Sequence, residues 1–375
     1  MMDIPWNRVR KIVLLNLIAN TVGDTLAVGP LITVLKRHCP QASITVTASP
    51  KNASLLSGLA DHLVPLEELA DIGKKISRWT KAWQYLKLMH RCVRLLRETK
   101  PEVCFVLLPN FWLSHLIPLI ARVPYRVGFT YRGSIFAWVL THHVPFRGSL
   151  ETQDHHLHFL DSNLSIFESV GVPVHKEDML MRKIVNEDAR MWARKFFLKH
   201  HLTGKDTLVA FQAGAKWKNK QWPAEYFVAV AKALVTKHKA KILLFGTLAE
   251  KEINEPIVRA VGTNATLIVD ESLENVAALL ERCTLAFGND SGIMHLASGV
   301  GTTPVVIYST TNYRQSFTRG PGGGIPIESK EYRHLPMLSG AELEEGIKRM
   351  RSISVEQALQ VLEHALKQKR QRKNG

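Results

Sequence analysis

Four short stretches of the 375-residue chain combine small residues with charged or hydroxylated ones directly after strand-like apolar runs. Open α/β sheets bind their ligands in such loops. In Thr21-Val22-Gly23-Asp24-Thr25 the glycine permits a tight turn and Asp24 falls at or near a helix start. A carboxylate there either caps orphan amides or acts as general base on a hydroxyl. In the stretch Gln212 to Pro223, Gly214 and Ala215 let backbone amides approach a phosphate, and Lys216, Lys218 and Lys220 supply charge. The bland alternative is a solvated basic loop. Gly288-Asn289-Asp290-Ser291-Gly292-Ile293-Met294-His295 reads either as an Asx-type turn capped by Ser291 with His295 packed, or as a diphosphate cradle. In the cradle, amides near Ser291 and Gly292 hold the anion and Asp290 accepts hydrogen bonds from sugar hydroxyls. After the next run, Glu250 in Gly246-Thr247-Leu248-Ala249-Glu250 suits a ribose, or is a helix-start acid.

The elements that must carry these loops alternate in kind. In the first half, Lys11 to Leu17 and Ser43 to Thr47 read as strands around a helix from Asp24 to His38, with further apolar runs at Val103 to Leu108 and Leu116 to Ala121. Strand, helix, strand in that order implies parallel pairing with right-handed crossovers. The second half repeats the pattern, with strands at Thr207 to Phe211, Lys241 to Phe245, Thr266 to Val269, Leu285 to Phe287 and Pro304 to Tyr308, and helices at Ala224 to Lys237 and Leu273 to Arg282. The expectation is an α/β chain of two Rossmann-like doubly wound domains. Residues 1–175 form the first and 206–350 the second, joined by a linker at 176–205 that carries a charged helix-like run from Asn186 to His200. Residues 351–375 form a terminal helix and a solvated, frayed basic tail.

Length agrees, since one hydrophobic core rarely organises more than about 250–300 residues. The four cysteines form no CxxC pair and read as reduced thiols. Arg8, Arg10 and Lys11 precede the apolar run Ile12 to Ala19 as in a secretory signal, but Asn16 interrupts it and a Gly-Asp turn follows, so a first buried strand is expected. No stretch approaches the roughly 20 apolar residues of a membrane span. A net charge of +16 calls for a polyanionic partner. With no nucleic-acid-binding signature in view, an anionic lipid surface or a phosphorylated saccharide accounts for it. From Lys74 to Lys100 nine bases stand against the single acid Glu98, with Trp79 and Trp83 among them. This is expected to be a helix with Leu86, Met89, Val93 and Leu96 on the sheet and an acceptor- and membrane-facing outer side.

Together the loops resemble glycosyltransferase family nine, inverting enzymes whose best-known members are the lipopolysaccharide core heptosyltransferases. The resemblance spans about Lys11 to Leu366. It rests on Gly23-Asp24, Lys220 before Trp222-Pro223, Asn289 to Ala297, Gly301 to Val306, Pro109-Asn110 with Arg126-Val127-Gly128, and a basic aromatic segment at Arg78 to Trp83. It implies a GT-B type fold, with two Rossmann-like domains facing across a cleft. The first half takes the acceptor through Gly23, Arg78, Lys81, Asn110 and Ser114. The second takes a nucleotide sugar, ADP-heptose, through Gly214, Ala215, Lys216, Glu250, Asp290, Ser291, Gly292 and His295.

On this resemblance Asp24 is the base and Lys220 contacts the donor diphosphate. No metal or other cofactor is expected, and the enzyme is expected in the cytoplasm, peripheral to the inner membrane, acting on a phosphorylated lipid-linked saccharide. Gln212, Leu113 and Ser309-Thr310-Thr311-Asn312 depart from the family pattern. The alternatives are transfer of another sugar from another nucleotide, or an inactive transferase fold that binds membrane or nucleic acid.

Overall fold

The computed structural model describes residues 3–17, 21–66, 78–107, 112–130, 137–146, 158–310, 312–329 and 341–374. The chain divides into two compact units, Met1–Ile184 and Val185–Gly375. In the first, β1 (Lys11–Leu15), β2 (Ser43–Ala48), β3 (His62–Pro65), β4 (Val103–Val106), β5 (Tyr125–Thr130) and β6 (His142–Pro145) form one parallel sheet in the order β3-β2-β1-β4-β5-β6. Its helices are α1 (Val22–Leu26), α2 (Val28–His38), α3 (Arg78–Thr99), α4 (Trp112–Ile120) and α5 (Phe159–Leu164). Ile12 to Leu15 and Val103 to Val106 are all buried. Central parallel strands are covered on both faces and therefore read as unbroken apolar runs. The basic opening of the chain thus leads into a strand, and the run at 116–121 lies on and just after α4.

The second unit repeats the plan with β7 (Leu208–Gln212), β8 (Lys241–Gly246), β9 (Ala265–Val269), β10 (Leu285–Asn289), β11 (Thr303–Tyr308) and β12 (Ile325–Glu328), ordered β12-β11-β10-β7-β8-β9. The helices are α6 (Glu187–Lys199), α7 (Ala224–His238), α8 (Lys251–Val261), α9 (Leu273–Glu281), α10 (Gly292–Gly299), α11 (Tyr313–Ser316), α12 (Ala341–Ser352) and α13 (Val355–Asn374). Counted from its own first strand, each sheet has the order 3-2-1-4-5-6. Strand order reverses between β1 and β4 and between β7 and β10, and crevices at such switch points take ligands.

Three features differ from the sequence expectation. The charged run of the expected linker is α6, started by the Asn186 side chain, which accepts from Ala189 N–H at 2.8 Å. It packs in the second unit, where Arg190 forms two hydrogen bonds to Glu281 (2.8 and 3.0 Å) and Arg282 lies over the Phe197 ring at 4.9 Å. The chain divides just before it. The C-terminal stretch is no appendage: Leu362 and Leu366 of α13 are in the second core with Met350 of α12, and the helix continues through the basic residues 367–373. On α3 the buried stripe is Leu88, Cys92, Val93 and Leu96, with Met89 partly buried, whereas Leu86 is exposed. The spacing i, i+4, i+8 of 88, 92 and 96 sets the inward face, which turns residue 86 outward with Trp79 and Trp83.

Candidate active site

In the second unit the loops after β7 and β10 are bolted together by one side chain. Asn289, fully buried at the end of β10, accepts from Trp222 N–H at 3.0 Å and donates through Nδ2 to Ala213 O at 2.7 Å. Trp222 is anchored in turn among Phe227 and Phe287, and its indole N–H donates to Ile353 O at 2.9 Å. Between these fixed points runs the 3-10 turn Lys218–Lys220, which presents Lys220 to Asp290: Nζ and Oδ2 are 2.7 Å apart, and the Asp290 side chain is only 7% exposed. Gln221 Nε2 donates to Ala215 O at 2.8 Å and closes the loop. Lys216 is exposed, its ammonium over the Trp217 ring at 5.5 Å.

Ser291 is the N-cap of α10 and Gly292 its first residue, but the Ser291 hydroxyl makes no capping bond. Its oxygen is buried without a hydrogen-bond partner, so the alternative of Ser291 as a side-chain cap does not hold. A helix start beside a lysine is the kind of place where an anion can be held. His295, one turn on, is buried and held below the ordinary histidine range, by burial first, opposed by Asp290 and reinforced by Lys220. Tyr308 at the end of β11 is pushed up by burial and by Asp290. Buried hydrogen-bonding atoms without partners gather on these strand ends: Gln212 Oε1, Tyr308 OH and Ser309 Oγ. Each of these residues is at most 5% exposed, and buried polar atoms are rarely left unpaired.

Gly214 also makes room for a side chain. A Cβ there would coincide with the Glu250 carboxylate, so the absent side chain is the seat of Glu250. Glu250 is oriented by Thr247, whose N–H and hydroxyl donate to Oε2 at 2.8 and 3.1 Å, and by Gln212 Nε2 at 3.4 Å from Oε1. The helix-start reading of Glu250 is therefore correct as local structure, and the same bonds fix a carboxylate beside the β7 loop.

In the first unit the cap of α1 is Thr21, not Asp24. Thr21 Oγ1 accepts from Asp24 N–H at 3.1 Å and donates to Asp24 Oδ2 at 2.6 Å, placing Asp24 three residues into the start with a half-buried side chain. Gly23 is buried in the same turn. The strand end before it is tied across the sheet, since Asn16 N–H donates to Thr47 Oγ1 at 2.9 Å. Ser114 is buried on α4. Arg78 is the first residue of α3 and its side chain lies outside the described residues, as does all of Asn110; Lys81 is half-buried one turn along. Trp79 is 87% and Trp83 59% exposed, with Lys87 Nζ 5.6 Å from the centre of the Trp83 ring. Asn289, Thr21, Gln212 and Tyr308 were absent from the expected site. Thr21 and Asn289 stood in the quoted motifs without a role, Gln212 stood out as a departure from the family pattern, and Tyr308 was only the end of a strand.

Two open α/β units, with the Lys220–Asp290 pair at the second switch point, narrow the field, and the family comparison decides it. The model of glycosyltransferase family 9 (heptosyltransferase) matches residues 89–333. The chain belongs to this family. This family 9 glycosyltransferase is 24% identical over 307 residues to lipopolysaccharide heptosyltransferase 2 of Salmonella typhimurium, covering 78% of this chain and 81% of that one. It is 25% identical over 305 residues to lipopolysaccharide heptosyltransferase 3 of Escherichia coli, with 78% and 82% covered. Among solved structures, the family 9 transferase of Veillonella parvula superposes with a TM-score of 0.76 at 22% identity, over 98% of this chain and 99% of that one. An E. coli heptosyltransferase solved with ADP gives 0.67 at 14% identity, over 95% and 99%. These likenesses support the GT-B type fold.

Proposed function

We propose that this chain transfers a heptose from ADP-heptose to an inner-core saccharide of lipopolysaccharide, with inversion at the anomeric carbon. The observation that carries the donor half is the Lys220–Asp290 pair at the N-terminus of α10, at the point where strand order reverses. The relatives named for lipopolysaccharide heptosyl transfer and the fold neighbour solved with ADP support the sugar and the nucleotide.

Asp24 takes the proton of the acceptor hydroxyl as that oxygen bonds to the anomeric carbon. The bond from that carbon to the diphosphate oxygen breaks, and ADP departs with the electron pair. Lys220 and the amides at Ser291 and Gly292 stabilise the developing negative charge. This supply of positive charge is why the reading needs no metal or other cofactor. Asp290 and His295 lie against the transferred sugar, and Glu250 holds the ribose hydroxyls.

The acceptor is a phosphorylated, lipid-linked saccharide at the inner face of the cytoplasmic membrane. The outward Trp79, Trp83 and Leu86 of α3 with Lys81 and Lys87 suit an anionic interface, where aromatic rings and bases sit together. Among the described residues no helix is long and apolar enough to cross a membrane. A titration of nucleoside diphosphates and nucleotide sugars by thermal shift, followed by transfer to heptose-free lipopolysaccharide, tests the reading. Binding and transfer with ADP-heptose are expected. Preference for another nucleotide sugar would change the donor, and no nucleotide binding would reduce the chain to an inactive fold.

A further inference from the structure

We propose that Gly346, on a helix remote in sequence from the donor loops, sets the position of Lys220, so that α12 is part of the donor-binding machinery. The inference rests on the reading of Lys220 as the diphosphate contact. Asn219, the middle residue of the turn that carries Lys220, is almost wholly buried. A Cβ placed on Gly346 would come within 2.7 Å of Asn219 Cβ and 3.2 Å of Thr310 Cγ2. The first distance is shorter than real Cβ atoms show, and the obstructing atom adjoins backbone, so it cannot swing aside as the end of a long side chain does.

Glycine inside a helix costs stability relative to alanine. At residue 346 it is explained by this approach: the helix backbone itself forms the wall behind Asn219. The wall is rigid because α12 is fixed from beyond, with Met350 one turn further on the same face buried in the core and Ile353 O accepting from the Trp222 indole. From another side Thr310 Oγ1 donates to Asn219 O at 3.3 Å. Asn219 is thus held between α12 and the loop after β11, and the next residue, Lys220, reaches Asp290 at 2.7 Å. Any side chain at 346 pushes the turn, and the ammonium moves with it.

Gly346 touches no substrate in this account and is a positioning residue. The test is calorimetric titration with ADP of the wild-type chain, Gly346→Ala, Thr310→Val, Lys220→Ala and the Gly346→Ala/Lys220→Ala double variant. Gly346→Ala and Lys220→Ala should each weaken ADP binding about ten-fold, the loss of one charge-assisted contact. Thr310→Val, which adds no bulk and loosens the turn through one hydrogen bond, should weaken it about three-fold. The double variant should bind no more weakly than Lys220→Ala alone, because the glycine acts through the lysine.

Multiplying effects in the double variant would locate the damage elsewhere and overturn the inference. So would wild-type affinity in both Gly346→Ala and Thr310→Val beside a weakened Lys220→Ala, which leaves the lysine reading intact. Wild-type affinity in Lys220→Ala would instead refute the lysine reading, and the inference with it. If Gly346→Ala fails to fold, Thr310→Val alone and combined with Lys220→Ala gives the same decision.

Discussion

The Lys220 ammonium stands 2.7 Å from Asp290 Oδ2 and joins two strand-end loops 70 positions apart. The pair pre-sets a cation at the start of α10 and at the same time prevents the Asp290 charge from being buried alone. Lys220→Ala should therefore lower three quantities together: affinity for ADP, turnover, and melting temperature. The stability loss should fall below the roughly 3–5 kcal/mol of fully buried broken pairs, because Lys220 is partly exposed. Calorimetric titration and a melting curve measure it. Unchanged ADP affinity would place the diphosphate in another loop.

Asp24 and Thr21 allow capping and catalysis to be separated. Thr21→Ala should cost about 1 kcal/mol of stability as a lost cap and leave most of the transfer activity. Asp24→Asn should keep donor affinity within a few-fold and reduce transfer by about 10² to 10⁴, the usual contribution of a general base. Steady-state transfer assays of the two variants decide. Near-normal turnover in Asp24→Asn would return the aspartate to a purely structural role.

Glu250 fills the seat left by Gly214 and is oriented by Thr247 and Gln212. If it holds the ribose, Glu250→Gln should narrow the preference for ADP over 2′-deoxy-ADP. Gly214→Ala should do the same by displacing the carboxylate. Competition titrations with the two nucleotides give the ratio, and an unaltered ratio in both variants would remove Glu250 from the donor site.

For α3 the expectation is that Arg78→Glu with Lys81→Glu weakens binding to vesicles containing anionic lipid and raises the apparent KM for a phosphorylated lipid acceptor, without changing ADP affinity. Each base contributes about 1 kcal/mol near such a surface, so reversing two should be visible in a sedimentation assay. Equal vesicle binding by the variant and the wild type would count against α3 as the membrane face.

Buried histidines give the fold a pH dependence of fixed sign. His295 and His115 are both held below the ordinary histidine value, chiefly by burial. The unfolded chain takes up protons first as pH falls, so stability is fully present above about pH 6.5 and declines below it. Denaturant melts at pH 7.5 and 5.5 should show the loss, and His295→Gln should reduce the difference between them.

The central strands and the loops after them were legible because a buried parallel strand is apolar on both faces and ends where polar residues begin, as at Phe211-Gln212 and Phe287-Gly288-Asn289. Three of the four edge strands were not. His62–Pro65, His142–Pro145 and Ile325–Glu328 are four residues each, and all three contain proline, which is tolerated at a sheet edge. Within the site, residue types pointed to Lys220, Asp290 and Glu250, but spacing could not show that Gly214 exists to admit Glu250. Nor could it show that Asn289 ties the two loops or that Thr21 takes the capping task from Asp24. Those are contacts between residues distant in sequence, or a competition between two neighbours able to do the same job, and only the folded backbone decides them.

Neither sheet borrows a strand from the other half: β1 to β6 close within residues 1–184 and β7 to β12 within the remainder. The consequence concerns synthesis. The first sheet cannot be completed at its centre until β4 emerges to pair with β1, some ninety residues later in the chain, but from then on it requires nothing from the C-terminal half. At about 5–20 residues per second the ribosome takes roughly 10–40 s to make the second unit. The first unit therefore has time to fold while the second is still being translated, which lowers the chance that two sheets of identical strand order exchange partners.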